Sequence, residues 1–212
     1  DFCLSRGLGD VYKRQLLPVQ NEKPIVAYGT SIMHGAYASR PGLGWTNILG
    51  RKLNSKMINL GFSGNGQLEP AMIDLVNEID AKLYILDCMP NLWDKTRFSA
   101  EEIEKRMRHA ESEIHKKHPG VPIIFTEHCG GKDGINLDTV MAQKYIAVSK
   151  ISATVFKKMK KEGIKDIYEL TASQIGFDTE STLDGTHPND IGMMQYANAY
   201  YQLITRKIGL LQ

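Results

Sequence analysis

Five short apolar runs, each followed by a stretch with helical periodicity, limit what this chain can fold into. The runs are PIVAYG (24–29), KMINLG (56–61), KLYILD (82–87), VPIIFTE (121–127) and the weaker DIYEL (166–170). They are rich in Ile, Val, Leu and Tyr, and mostly apolar at successive rather than alternate positions. Strands of that kind need cover on both faces, as strands of a parallel sheet have. Between them, Trp45 to Leu53 reads as a short helix, and Pro70 suits the first turn of a helix reaching about Ile79. Ser99 followed by Glu101 and Glu102 reads as an N-cap with an acidic first turn, and Ile103, Met107, Ala110 and Ile114 form the apolar stripe behind it. A long helix is expected from about Leu137 to Lys161, stopping at Gly163. A last helix is expected from about Asp190 to Lys207, with Met194, Ala197, Tyr201 and Ile204 on one face. Repeated strand–helix alternation implies a three-layer α/β/α domain with right-handed crossovers. Ligands of such sheets bind beyond the carboxyl ends of the strands, at a switch point of the strand order.

The 212 residues suffice for one domain with a full core. A net charge of +2 gives no reason to expect a nucleic-acid or membrane partner. The cluster Lys157, Lys158, Lys160 and Lys161 reads as a solvated helix end. No apolar run reaches the roughly 18 residues that a spanning helix needs. Three cysteines are too few, and odd in number, for a disulfide framework, so Cys88 and Cys129 are expected as buried thiols. No cofactor motif stands out: NLGFSGNG is not G-x-G-x-x-G, and no G-K-[ST] follows it. His115 and His118 lack the carboxylate or cysteine companions of a metal site and read as residues of a solvated helix end.

The polar, glycine-rich stretches fall at strand ends. Gly29-Thr30-Ser31 follows the first run, NLGFSGNG (59–66) closes the second, DCMPNLWD (87–94) closes the third, and DGTHPND (184–190) precedes the last helix. Ester hydrolysis needs a nucleophile beside a base, a carboxylate to orient that base, and donors aimed at the developing oxyanion. Ser31, His187 and Asp184 supply the first three parts. Asp184 and His187 are three residues apart, so one turn brings the carboxylate to one ring nitrogen while the other faces Ser31. Gly64 offers a backbone N–H with no side chain in the way, and Asn91 offers an amide N–H. In a flavodoxin-like strand order, 2-1-3-4-5, the first three strands are neighbours, and Ser31, Gly64 and Asn91 converge on one crevice.

These four blocks, Gly29-Thr30-Ser31, the N-x-x-x-S-G run ending at Gly64, Pro90-Asn91 and Asp184-x-x-His187, resemble those of the SGNH/GDSL hydrolases in order and spacing, over residues 24 to about 207. The resemblance implies the SGNH hydrolase fold and a serine esterase mechanism with no metal and no cofactor. Carried over by position, Ser31 is the nucleophile, His187 the general base and Asp184 its partner. The oxyanion hole is then the N–H groups of Ser31 and Gly64 with the Asn91 amide. Two departures stand out: Thr30 occupies the place of the signature Asp, and Pro90 that of the Gly before Asn91. The wording YGTS, NLGFSGNG and DCMPN is most similar to a branch found in gut Bacteroidetes, for which small acyl esters of carbohydrates are the implied substrates. In that branch a small β-rich domain often precedes the hydrolase domain, and the resemblance is compatible with a periplasmic or secreted location without fixing one.

Trp93, His34, Glu127 and His128 lie near strand ends and are expected to line a sugar-sized pocket, with Arg40 as a further polar neighbour; Trp45 reads as core. The opening DFCLSRGLGDVYKRQ resembles adapter read-through. The expected organisation is a non-native tail (1–15), a linker (16–23) and the hydrolase domain (24–212), with native upstream sequence missing. Two other readings of the same residues stay open: an acyltransferase, and a carbohydrate-binding module without activity.

Overall fold

The computed structural model describes residues 22–130 and 138–210. The expected tail lies outside the described residues, as does most of the expected linker. Five parallel strands form one sheet in the order β2-β1-β3-β4-β5: β1 (Ile25–Gly29), β2 (Met57–Gly61), β3 (Leu83–Asp87), β4 (Ile123–Thr126) and β5 (Ile167–Leu170). This is the flavodoxin-like order. The central strands β1, β3 and β4 are buried at every residue, whereas the edge strands β2 and β5 are partly open. Burial on both faces is thus a property of the three inner strands only.

The seven α-helices of the described residues are α1 (Ser31–His34), α2 (Trp45–Leu53), α3 (Pro70–Val76), α4 (Ala100–Lys117), α5 (Thr139–Lys161), α6 (Ala172–Ile175) and α7 (Asp190–Leu203). One face of the sheet, through Ile25, Ala27, Leu83, Ile85 and Ile124, packs on α2 and α7. The other, through Val26, Tyr28, Tyr84, Leu86 and Phe125, packs on α3, α4 and α5. The start of α4 is as its residues dictate: the Ser99 hydroxyl accepts from the Glu102 N–H at 3.2 Å, and Ile103, Met107, Ala110 and Ile114 are the residues it buries. Asp138 caps α5 by accepting from the N–H groups of Val140 and Met141, and Gly163, at φ +87°, follows its end. The expected start at Leu137 lies outside the described residues. Helix α3 stops at Val76, short of Ile79: the N–H groups of Glu78 and Ile79 bond three residues back, to the Leu75 and Val76 carbonyls, and the Asn77 amide donates to the Glu113 carbonyl of α4 at 2.9 Å.

The last helix buries Ala197 and Ile204 as expected but differs by one position at Met194 and Tyr201. Its buried face is Met193, Tyr196, Ala197, Tyr200 and Leu203, whereas Met194 is 41% exposed and Tyr201 half-buried. Met193-Met194 and Tyr200-Tyr201 offer two apolar stripes of equal spacing, and tertiary contacts choose between them. Tyr200 stacks on Trp45 with ring centroids 4.4 Å apart, and its hydroxyl meets Thr126 Oγ1 at 2.6 Å. After Leu203 the chain continues as a π-helical turn, Ile204–Ile208.

Cys88 and Cys129 are buried thiols, and the four clustered lysines are exposed. His115 and His118 are not solvated. His115 is held by Glu111 at 2.8 Å and the Val121 carbonyl at 3.1 Å, and His118 by the Asn77 carbonyl at 2.9 Å. They tie the end of α4 to its neighbours.

Asp87, at the end of β3, is fully buried, and burial pushes its carboxyl up to about 7 even though the Tyr200 hydroxyl donates to it. A carboxyl whose folded pKa is raised contributes its full stability below the unfolded value near 4 and loses it as pH rises to 7. Asp87→Asn removes this term. Relative to wild type, the variant should gain stability as pH rises from 4 to 7, on the order of 1 kcal/mol per pH unit, and level off above that. Urea unfolding at several pH values measures it; a difference independent of pH contradicts the assignment.

Candidate active site

Three strand ends meet around Ser31. Helix α1 starts there because Thr30 caps it, its hydroxyl accepting from the Ile32 N–H at 3.3 Å. The Phe62 N–H then donates to the Gly29 carbonyl at 2.9 Å, which joins the end of β2 to that of β1. From the end of β3, the Asn91 amide donates to the carbonyls of Ser63 at 2.7 Å and Gly66 at 3.0 Å. Asn91 therefore holds the loop that carries Gly64. Gly66 permits the closest approach, since a Cβ there would stand 2.0 Å from the Gly29 carbonyl oxygen. Gly64 faces open space, with nothing within 4 Å of where its Cβ would be.

The Asp184–His187 turn closes on this platform. Asp184 Oδ1 accepts from the N–H groups of Thr186 at 2.9 Å and His187 at 2.7 Å, and Oδ2 meets His187 Nδ1 at 2.7 Å. The His187 carbonyl accepts from the Thr182 hydroxyl at 2.9 Å, which fixes the loop's return. His187 Nε2 lies 2.9 Å from Ser31 Oγ. Partial burial works to raise the Asp184 carboxyl, but the hydrogen bonds from His187 and Thr186 outweigh it and hold the group below the usual carboxylate range. An ionised carboxylate against Nδ1 places the ring hydrogen there and leaves the Nε2 lone pair facing the hydroxyl. Ser31, 156 residues before His187, thus joins His187 and Asp184 in one continuous hydrogen-bonded chain.

Residues 22–205 match the GDSL-like lipase/acylhydrolase family. The chain belongs to that family. The family is one of carboxylic ester hydrolases. A GDSL-like lipase from Bacteroides ovatus is 33% identical, with a TM-score of 0.77 over 89% of this chain and 54% of its own. The salicylyl-acyltransferase SsfX3 of a tetracycline biosynthetic pathway is 21% identical, with a TM-score of 0.73 over 91% of this chain and 57% of its own. A family two carbohydrate esterase from Clostridium thermocellum is 15% identical, with a TM-score of 0.69 over 92% and 67%. These last two likenesses are of fold. The chain spans about half the length of the first two structures. Among curated proteins, none is similar enough to count as a match.

The expected pocket residues fare differently in this member of the family. Trp93 is half-buried, with the Lys144 ammonium 4.4 Å from its ring centroid. His34 is exposed on the last residue of α1. Glu127 is engaged elsewhere: its carboxylate accepts from the Ala172 N–H at 2.8 Å, at the start of α6. His128 is 2% exposed, so it lies beneath the site rather than lining it. Its ring stands edge-on to Tyr145 at 4.2 Å. Burial, and then the neighbouring His187, push it down to about 3 against the opposing effect of Asp184. The side chain is neutral at working pH. Sequence reasoning missed Tyr37, whose ring stands edge-on to His187 with centroids 5.3 Å apart. Nothing in its sequence context distinguishes it from any exposed loop tyrosine. Among the described residues, no three His, Cys, Asp or Glu side chains gather as a metal site requires, and no helix is long and apolar enough to cross a membrane.

Proposed function

We propose that the protein is a serine esterase that removes small acyl groups, acetyl foremost, from carbohydrate esters. The observation that carries the reading is the chain Ser31 Oγ, His187 Nε2, His187 Nδ1 and Asp184 Oδ2, closed by contacts of 2.9 and 2.7 Å. Ser31 Oγ attacks the acyl carbonyl as His187 Nε2 takes its proton. The tetrahedral oxyanion is met by the N–H groups of Ser31 and Gly64, while the Asn91 amide, both hydrogens of which go to the Ser63 and Gly66 carbonyls, holds the loop that carries Gly64. His187 then passes the proton to the leaving alkoxide oxygen. A water, deprotonated by the same nitrogen, adds to the acyl-enzyme and releases the acid.

Support for the carbohydrate part comes from the fold shared with family two and family three carbohydrate esterases of Clostridium thermocellum, and from aromatic rings near the site, which suit sugar faces. The test is a panel of acetylated sugars and short-chain aryl esters, run with competing alcohol acceptors. Free acid as the main product supports the esterase. Transfer to the acceptor makes it an acyltransferase, and no turnover by folded protein makes it a binding module. Asp184→Asn should lower kcat about 10⁴-fold, because the imidazole loses its tautomer and its counter-charge. Asn91→Ala should cost about 1–3 kcal/mol of stability, because two loop carbonyls lose their donor, and should lower kcat by loosening the loop that carries Gly64. Steady-state kinetics and thermal melts check both.

A further inference from the structure

Among the described residues, five other than glycine have positive φ: Tyr37, Asn54, Ser63, Leu68 and Asp166. Asn and Asp tolerate that region, and short polar side chains find local partners there. The bulky members are Leu68 and Tyr37, and the strain at each calls for compensation. Leu68 is 1% exposed, so core burial offsets it. Tyr37, at φ +68°, is 53% exposed and has no such offset. The aromatic contact that its ring makes is with His187, centroids 5.3 Å apart and planes at 76°. The segment is nonetheless pinned on both sides. The N–H groups of Gly35 and Ala36 donate to the Ser31 carbonyl, and the Ser39 N–H donates to Asp190 Oδ1 at 2.9 Å. A strained, exposed aromatic is thus held against the imidazole by the nucleophile's own carbonyl.

Resting on the esterase reading, we infer that Tyr37 is a specificity-determining residue whose ring forms a wall of the alcohol subsite and favours esters of ring-shaped alcohols. The alkoxide leaves toward His187 Nε2, which protonates it, so the alcohol sits beside the imidazole that Tyr37 flanks. An exposed aromatic face there is matched by the C–H face of a six-membered ring and not by a short alkyl alcohol.

The experiment compares kcat/KM on an acetylated methyl glucoside and on ethyl acetate for wild type, Tyr37→Phe and Tyr37→Gly, alongside fluorophosphonate labelling of Ser31 and thermal melts. Wild type is expected to prefer the ring alcohol about tenfold, and Tyr37→Phe to keep that ratio. Tyr37→Gly is expected to lose the ratio, to label at the wild-type rate and to melt a few degrees higher, since glycine accepts the backbone without strain. Two results overturn the inference while leaving the esterase standing. One is a wild type that is labelled at Ser31 but has no preference for the ring alcohol. The other is a Tyr37→Gly variant that loses both activities equally and labels slowly, which makes the tyrosine a support for His187. A wild type that hydrolyses neither ester and takes no label overturns the esterase reading and this inference with it.

Discussion

Ser31→Ala is expected to bring hydrolysis of p-nitrophenyl acetate to background, a fall of at least about 10⁴-fold in kcat. The fold should be untouched. The side chain is half-buried, the hydroxyl's partner is His187 Nε2, and α1 is capped by Thr30 rather than by Ser31. Alanine also favours the helical position it would occupy. Melting within about 0.5 kcal/mol of wild type, with activity lost, is the pattern of a removed nucleophile. Full activity in the folded variant would refute the assignment.

The second large effect is structural. Gly66→Ala places a Cβ 2.0 Å from the Gly29 carbonyl oxygen and 2.5 Å from its carbon, both backbone atoms at the end of β1. Neither can move aside without dragging Thr30 and Ser31. The expected cost is about 3 kcal/mol or more, together with loss of activity, because the loop that Asn91 anchors would be lifted off β1. Gly64→Ala, two residues away, is the control. It meets open space and should change stability by less than about 0.5 kcal/mol. Denaturant unfolding of the pair separates the two positions. Equal stabilities would contradict the close approach of the β2 loop to β1.

Much of this was legible in the sequence because it rests on local chemistry. Strands β1, β3 and β4 are apolar up to their last residues, Ser99 and its two glutamates mark the start of α4, and Asp184 and His187 are close enough to meet within one turn. The convergence of Ser31, Gly64 and Asn91 followed from strand order, which places the ends of β1, β2 and β3 side by side. What could not be read depends on tertiary choice. Met193-Met194 and Tyr200-Tyr201 give α7 two equivalent stripes, and Trp45 and Thr126 pick one. Glu127 looked like a pocket carboxylate until α6 brought the Ala172 N–H to it. His128 sits at a strand end, as a pocket residue should, yet α5 brings Tyr145 against it and seals it in. Tyr37 was missed because a positive φ and a ring contact across 150 residues leave no local signal.

The central claim is that the Ser31 hydroxyl, activated by His187, takes the acyl group. The direct measurement is mass-spectrometric mapping of the adduct formed when the protein meets a fluorophosphonate. One adduct per chain, on the peptide containing Ser31 and lost in His187→Ala, is the expected result. Folded protein that takes no adduct, or takes it on another residue, would contradict the account.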